Sequence, residues 1–180
     1  MANIVVMAVY FMIPAYLANM APVFSRRILR SLAIPIDKGK KLGGKPIFGS
    51  HKTVRGFLVA VIYSVALTYL QALLYPLAGF QALSIVHYPS VWLPLGLLLG
   101  VGAIGGDLVK SFAKRRIGIK PGKTFIPFDQ LDFVIGSLLL ASFVVDFTLP
   151  LVFTILTVSF FGHLTVNYIG YLLNVRDQRW

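Results

Sequence analysis

Long apolar stretches alternate with polar segments along the whole chain, and this pattern predicts an all-α integral membrane protein. A helix that crosses the hydrocarbon core needs about 20 mostly apolar residues. Five stretches approach that length, so we predict five transmembrane helices in one domain over residues 1–180, with polar loops at about 25–56 and 112–130. The predicted spans are residues 4–24 with Pro14 inside, 57–80 broken late by Pro76, about 91–107, 131–149 and 151–175.

The positive charges all fall on one side of this five-span arrangement. Residues 25–56 hold nine Lys and Arg, residues 110–123 hold six, and the tail holds Arg176 and Arg179, which together are all 17 of the chain. Cytoplasmic loops carry the excess of Lys and Arg in membrane proteins. We therefore expect a multi-pass protein of the cell (plasma) membrane, with the N-terminus outside, the C-terminus in the cytoplasm and any active site facing the cytoplasm.

The composition supports a membrane protein and excludes several kinds of site. Hydrophobic residues make up 57% of the chain, whereas a soluble domain has about 45–50% apolar residues. The net charge is +11, and all six acidic residues are Asp. Because the basic residues collect on one face of the membrane, we expect membrane lipids and phosphorylated ligands as partners, and no nucleic acid. The absence of Cys excludes disulfides and thiolate metal sites.

The stretch of residues 105–132 carries the residues best suited to chemistry. If the third helix continues past Asp107, four of its polar residues share one helical face at spacings i, i+3, i+4 and i+7. Asp129 and Asp132, three apart at the start of the next helix, also share a face. An acidic residue inside a membrane span is costly and is by default a functional hypothesis. The face of the third helix carries Asp107, Lys110, Ser111 and Lys114.

Three carboxylates from two helix ends would then meet among basic residues at the cytoplasmic boundary. Carboxylates without Cys or suitably spaced His suit a hard ion such as Mg²⁺, held together with substrate phosphates. Lys and Arg suit phosphate oxygens. The combination predicts a site for Mg²⁺ and a nucleotide.

The second polar stretch, residues 43–57, precedes the second span. Ser50 or Thr53 could cap that helix, and a helix N-terminus beside Lys52 and Arg55 is suited to bind an anion. The same residues are explained equally well if Ser50 or Thr53 only caps the helix and the charged residues only determine the membrane topology. Both interpretations stay open at this point.

These two stretches resemble the integral membrane cytidylyltransferases that make CDP-diacylglycerol. Residues 50–56, SHKTVRG, are similar to the Ser-x-Lys-Lys-Thr-x-Glu-Gly segment of that family, with Arg55 in place of the acid. The longer C-terminal signature of the family has an S-x-x-K-R element, a later Lys and an acidic end. It is matched here by Asp107, Ser111, Lys114, Arg115, Lys120 and residues 129–132, DQLD.

The short chain and the segment KPGKTFIPFDQLDF resemble the archaeal branch, the CDP-archaeol synthases. The resemblance implies transfer of a cytidylyl group from CTP to 2,3-bis-O-geranylgeranyl-sn-glycerol 1-phosphate, an isoprenoid ether-lipid phosphate. The products would be unsaturated CDP-archaeol and pyrophosphate, with Mg²⁺ as cofactor, in phospholipid biosynthesis. Ester-linked phosphatidic acid is the alternative substrate within the same class.

On this hypothesis each predicted site residue has a role. Asp107 and Asp129 are metal ligands, and Asp132 is a third ligand or supports them. The triphosphate and the leaving pyrophosphate are held by basic residues between positions 110 and 123, and Ser50, Lys52 and Thr53 bind nucleotide or lipid phosphate. The basic residues, together with Ser111 of the same face, are Lys110, Lys114, Arg115, Lys120 and Lys123.

Three other classes of protein would have different features. A CDP-alcohol phosphotransferase would carry a D-G-x-x-A-R segment, which is absent from this sequence. A transporter or channel would favour paired ionisable residues at mid-membrane and inverted repeats, whereas the charges here collect at one face. A lipid-binding or scaffold protein without turnover would be distinguished only by an assay of lipid-dependent pyrophosphate release from CTP.

Overall fold

The computed structural model describes residues 3–24, 28–120 and 123–172, which form six α-helices, a two-stranded hairpin and one 3₁₀ turn. The packing is that of a helical bundle, as the apolar pattern predicts. The helices are α1 (Ile4–Phe24), α2 (Val54–Leu74), α3 (Ala78–Leu83), α4 (Tyr88–Arg116), α5 (Phe128–Ala141) and α6 (Leu149–Leu172), and the hairpin pairs β1 (Lys41–Leu42) with β2 (Lys45–Pro46).

Four helices within these residues, α1, α2, α4 and α6, are long and apolar enough to cross a membrane. The expected fourth span, residues 131–149, is not one helix. α5 has 14 residues, so it is only about 21 Å long, against a hydrocarbon core of about 30 Å. The chain leaves the helix after Ala141 and begins α6 at Leu149, where Pro150 lies in the first turn and needs no hydrogen-bond partner for its nitrogen. Hydropathy alone did not show this break, because residues 142–148 remain largely apolar.

The second predicted span also has different bounds. Its helix begins three residues earlier than expected because Thr53 caps it, with Oγ1 accepting a hydrogen bond from the backbone N–H of Gly56 at 3.2 Å. It ends at Leu74, before Pro76, and the following residues form the separate short helix α3. The capping interpretation of Thr53 is therefore confirmed.

α4 continues well past Asp107, as the shared polar face requires. It ends at Arg116, so the loop expected from about residue 112 begins only at residue 117. Gly118 adopts a left-handed conformation with φ of 83°, and the N–H of Ile119 donates to the carbonyl of Lys114 at 2.9 Å. This pattern is the usual helix ending in which glycine reverses the chain.

Two pairs of glycines let α4 pack closely against helices on two sides. A Cβ added at Gly96 or Gly100 would overlap α2, and one added at Gly102 or Gly106 would overlap the backbone of α5. Each pair is four residues apart and so lies on one helical face. Small residues at this spacing bring membrane helices into backbone contact. α4 is thus the central helix, and α5 runs antiparallel beside it, with Gly136 opposite Gly102.

Candidate active site

Three carboxylates converge on the ammonium group of Lys110. Its Nζ lies 3.1 Å from Asp107 Oδ1, 3.3 Å from Asp129 Oδ1 and 2.7 Å from Asp132 Oδ2. Asp107 and Lys110 come from α4, whereas Asp129 and Asp132 come from the first two turns of α5. The predicted meeting of the two helix ends is therefore confirmed. The cluster is mostly shielded from solvent, since the Lys110 side chain is 14% exposed and that of Asp132 is 5% exposed.

Lys114 extends this cluster by one helical turn. Its Nζ donates to both carboxylate oxygens of Asp129, at 2.9 and 3.0 Å, and to the backbone carbonyl of Lys123 at 2.6 Å. Asp129 also accepts a hydrogen bond from the N–H of Phe125 at 2.6 Å. Lys114 thus ties the loop before α5 to the last turns of α4, which places Asp129 opposite Lys110.

The second polar stretch, residues 43–57, reaches the same place through Lys52. Its Nζ lies 2.5 Å from Asp107 Oδ2, although the two residues are 55 positions apart. A cleft of about 140 Å³ lies beside this ion pair, between the two polar stretches. Its lining is rich in cationic residues and consists of Phe48, Gly49, Ser50, His51, Lys52, Lys110, Ser111, Lys114 and Arg115.

The carboxylate of Asp37 stabilises the conformation of the loop that forms one side of this cleft. Its Oδ1 accepts from the N–H of Gly39 at 2.9 Å, and its Oδ2 accepts from those of Phe48 at 2.9 Å and Gly49 at 3.0 Å. Burial raises the pKa of this carboxyl, but hydrogen bonds from these backbone groups outweigh burial and hold its pKa below the ordinary value. Asp37 was not predicted as a site residue, although an Asp two residues before a Gly is a common turn signal.

Arg116 is a second residue that sequence reasoning missed. Its guanidinium donates to the backbone carbonyls of Leu42, Lys45 and Pro46, and it lies over the ring of Phe112. The one available signal was the spacing of Phe112 and Arg116, which puts them four apart on one face of α4. The carbonyl partners of Arg116 could not be predicted from the sequence, because every residue has a backbone carbonyl.

The predicted site residues do not all come together. Ser50, Lys52, Lys110, Ser111, Lys114 and Arg115 line the cleft. Thr53 instead caps α2. Lys120 is exposed and does not line the cleft, and Lys123 contributes its backbone carbonyl rather than its ammonium group.

The donor set fits a hard divalent cation. Asp107, Asp129 and Asp132 offer carboxylate oxygens that face one point, which is the kind of ligand Mg²⁺ prefers. Within residues 3–24, 28–120 and 123–172, no three acidic or His side chains lie at the spacing of a formed metal site. Lys110 Nζ lies among the three carboxylates instead. Metal binding by these carboxylates would therefore require the Lys110 ammonium to move away, and the cleft beside it offers the space.

The arrangement can hold a polyphosphate and neutralise it. Lys52, Lys110, Lys114 and Arg115 all border the cleft, and the N-terminus of α2 begins immediately after Thr53. Cationic side chains and helix N-termini both stabilise phosphate oxygens. In the cluster itself three ammonium groups face three carboxylates, so a cation bound by the carboxylates would release ammonium groups to bind phosphates.

Comparison with known proteins assigns this chain to a family. The CarS-like family model, described as CDP-archaeol synthase, matches residues 1–180. The CDP-archaeol synthase of Methanosphaerula palustris is 38% identical over 94% of this chain and all of the relative. That of Halobacterium salinarum is 38% identical over 98% of this chain and 97% of the relative, and that of Archaeoglobus fulgidus is 33% identical over the whole of both.

A solved structure is also similar, that of an intramembrane enzyme for archaeal membrane lipids biosynthesis. It superposes with a TM-score of 0.73 and 28% identity, over 89% of this chain and 92% of the other. The sequence matches and the structural match thus both extend over nearly the whole chain. This chain belongs to the CDP-archaeol synthase family.

Proposed function

We propose that this protein transfers a cytidylyl group from CTP to an archaeal ether-lipid phosphate, with 2,3-bis-O-geranylgeranyl-sn-glycerol 1-phosphate as the substrate. The products are unsaturated CDP-archaeol and pyrophosphate. The observation that carries the proposal is the cluster of Asp107, Asp129 and Asp132 around Lys110, beside a cleft lined by cations. Membership of the CDP-archaeol synthase family supports CTP-dependent cytidylyl transfer in archaeal lipid synthesis.

In the proposed reaction an oxygen of the lipid phosphate attacks the α-phosphorus of CTP. A new P–O bond forms on one side, and the bond to the β-phosphate breaks on the other, with pyrophosphate leaving. A phosphate monoester has a second pKa of about 6, so the attacking group is already largely dianionic at neutral pH. No side chain has to remove a proton, and the chain's task is to position the two phosphates and neutralise their charge.

In this proposal different cationic residues of the cleft bind different phosphates. Lys110, Lys114 and Arg115 are on consecutive turns of α4 and are suited to hold the triphosphate and the pyrophosphate that leaves. Ser50 and Lys52 lie on the opposite wall, where they would contact nucleotide or lipid phosphate.

We assign Mg²⁺ as the cofactor, held by Asp107 and Asp129 with Asp132 as third ligand or as a support for them. A divalent ion supplies charge neutralisation to the phosphoryl oxygens when bound. The geometry that supports the assignment is the approach of all three carboxylates to within 3.3 Å of one atom, Lys110 Nζ. Lys110 would pass from the carboxylates to the phosphates when the substrates bind.

We also propose five crossings of the plasma membrane, with the N-terminus outside and the site facing the cytoplasm. Phe147 packs on Phe11 with ring centroids 5.5 Å apart, and the neighbouring Tyr10 packs on Tyr88 at the start of α4. Asp129 lies instead near Lys114, close to the other end of α4. Residues 129–147 therefore run the length of α4, so α5 and the segment after it would together complete one crossing.

The test is an assay of the purified protein in detergent with labelled CTP and three lipid phosphates: unsaturated archaeal ether, saturated ether and diacyl ester. We expect CDP-lipid and equimolar pyrophosphate with the unsaturated ether substrate, and turnover that depends on Mg²⁺. Absence of lipid-dependent pyrophosphate release with every substrate would overturn the enzyme proposal. Turnover with the ester alone would overturn only the choice of lipid.

A further inference from the structure

The hairpin of residues 41–46 is fastened to the end of α4 by the side chain of Arg116. Its Nη1 donates to the carbonyl of Leu42 at 2.5 Å, and its Nη2 donates to the carbonyls of Lys45 at 3.1 Å and Pro46 at 2.5 Å. In return, Lys45 Nζ donates to the carbonyl of Arg116 at 3.0 Å. A guanidinium presents several donors in one rigid plane and can hold separate carbonyls together, which a single ammonium does less well.

An aromatic contact continues from Arg116 to the cleft. The guanidinium carbon lies 5.1 Å from the centroid of the Phe112 ring. That ring meets Phe48 edge-on, with centroids 6.5 Å apart. Phe48 lines the cleft and is followed directly by residues 49–52, which form one of its walls. The last two turns of α4 therefore contact the hairpin at Pro46 and the chain again at Phe48.

Asp37 holds the beginning of this wall, next to the contact that Phe48 makes with Phe112. Its carboxylate accepts from the N–H groups of Phe48 and Gly49. Lys52 then reaches Asp107 across the cleft. Residues 49–52 are thus placed at one end by Phe112 and Asp37, which do not line the cleft, and at the other end by the Lys52–Asp107 ion pair. Arg116 itself does not line the cleft.

We propose that Arg116 is a positioning residue: it fastens the 41–46 hairpin to α4 and, through Phe112 and Phe48, holds residues 49–52 in the place where they bind the phosphates of CTP. The inference rests on the proposed function. It assigns to Arg116 a part in nucleotide affinity without direct contact to the nucleotide. The neighbouring Arg115, in contrast, lines the cleft directly.

The expected result for Arg116→Ala is a KM for CTP raised by at least about tenfold, because the hairpin loses the charge-assisted hydrogen bonds that fasten it to α4. The kcat at saturating CTP changes little, since Asp129, Asp132 and Lys110 lie on helices that this contact does not hold in place. Arg116→Lys keeps the positive charge but lacks the planar set of N–H donors that binds three carbonyls. It therefore raises the KM for CTP as well. A merely stabilising residue would lower the active fraction, and hence the apparent kcat, without altering the KM.

Chemical rescue gives a second readout. Millimolar guanidinium added to Arg116→Ala should lower the KM for CTP toward that of the wild type, while ammonium at the same ionic strength should not. Lys41→Ala is the matched control, because Lys41 lies on the same hairpin with an exposed side chain and its removal takes away the same charge. The KM for CTP of this control should be unchanged.

The outcomes separate this inference from the proposed function. A wild-type protein without CTP turnover overturns the proposed function. An active wild type with an unchanged KM for CTP in both Arg116 variants overturns only the positioning role. A rise in KM that Lys41→Ala shares would assign the effect to net charge and would also overturn it. Equilibrium binding of labelled CTP to Arg116→Lys checks the same conclusion without turnover.

Discussion

Gly106 of α4 lies directly against the backbone carbonyl of Asp132 in α5, so closely that an added Cβ would overlap it. Asp107 is the next residue after Gly106, and its carboxylate shares Lys110 with that of Asp132. The separation of the two helices at this contact therefore sets the separation of the carboxylates. A glycine at a close contact between two helices thus controls the geometry of the site next to it.

The first prediction concerns this contact. Gly106→Ala should lower turnover by about a hundredfold, the loss that a displacement of about 1 Å can cause in a positioned site. Alanine is the better helix former by about 0.5–1 kcal/mol, so helix propensity alone would favour the variant. Turnover of purified variants with labelled CTP measures the effect.

Gly162→Ala is the control for that substitution, since nothing lies within 4 Å of a Cβ built there. We expect it to match the wild type in turnover. Wild-type turnover of Gly106→Ala would show that the helices can separate without harm to the carboxylate cluster, and the glycine contact would then not control the site.

Lys110 gives a second prediction, which concerns metal binding in the absence of nucleotide. Its ammonium lies where a cation held by the three carboxylates would be. Two unit charges 4 Å apart repel by about 1 kcal/mol in water and by about 4 kcal/mol near a protein surface. Lys110→Met should therefore tighten Mn²⁺ binding by at least about tenfold, while turnover falls because the phosphates lose a cation.

Electron paramagnetic resonance of free Mn²⁺ during a titration measures this affinity directly. Lys41→Met serves as the control for lost charge, because Lys41 is exposed on the hairpin and its variant should bind Mn²⁺ like the wild type. Weaker Mn²⁺ binding by Lys110→Met would mean that the lysine organises the carboxylates rather than competing with the ion.

Contacts within one helix of this site were easier to predict from the sequence than contacts between helices. The shared face of Asp107, Lys110 and Lys114 follows from helical periodicity, and it was predicted correctly. The meeting of this helix with α5 was also predicted, from the acidic residues at the two helix ends. The register of their contact, with Gly136 opposite Gly102, was not predictable, because it depends on packing between distant parts of the chain that no local pattern records.

The carbonyl contacts of Arg116 and the end of α5 could not be predicted, because the sequence carries no signal for either. Arg116 binds backbone carbonyls, and every residue has a carbonyl, so its partners carry no compositional signal. The end of α5 at Ala141 lies within an apolar stretch, and hydropathy is insensitive to a break in the backbone. The two consecutive glycines at 43–44, which make the hairpin turn, were in contrast a readable signal of two paired strands.

A third prediction follows from Asp37 and its pKa. Because backbone hydrogen bonds lower the folded-state pKa, the carboxylate stabilises the loop fully above the ordinary aspartate pKa, near 3.8, and this contribution is lost as pH falls through the lower folded value. Asp37→Asn should speed amide exchange at Phe48 and Gly49 by about tenfold at neutral pH, since a charged acceptor is worth about 1.5–3 kcal/mol.

Hydrogen exchange of wild type and variant at the same pH removes the intrinsic pH dependence of exchange. Their ratio should approach one as pH falls below the folded pKa of Asp37. Asp146→Asn, an exposed aspartate far from the loop in sequence, should leave the exchange of both amides unchanged. A ratio near one at neutral pH would contradict the role of Asp37.

The most direct measurement of the central claim is the Mg²⁺ dependence of cytidylyl transfer by Asp107→Asn, beside wild type and the exposed control Asp146→Asn. The substitution keeps the size of the side chain and removes one charge from the cluster around Lys110. We predict a loss of turnover of at least about a hundredfold, because a metal ion stabilises transition-state charge by several kcal/mol, with the control unchanged. Undiminished Mg²⁺-dependent turnover of purified, folded Asp107→Asn would contradict the assignment of the active site to these carboxylates.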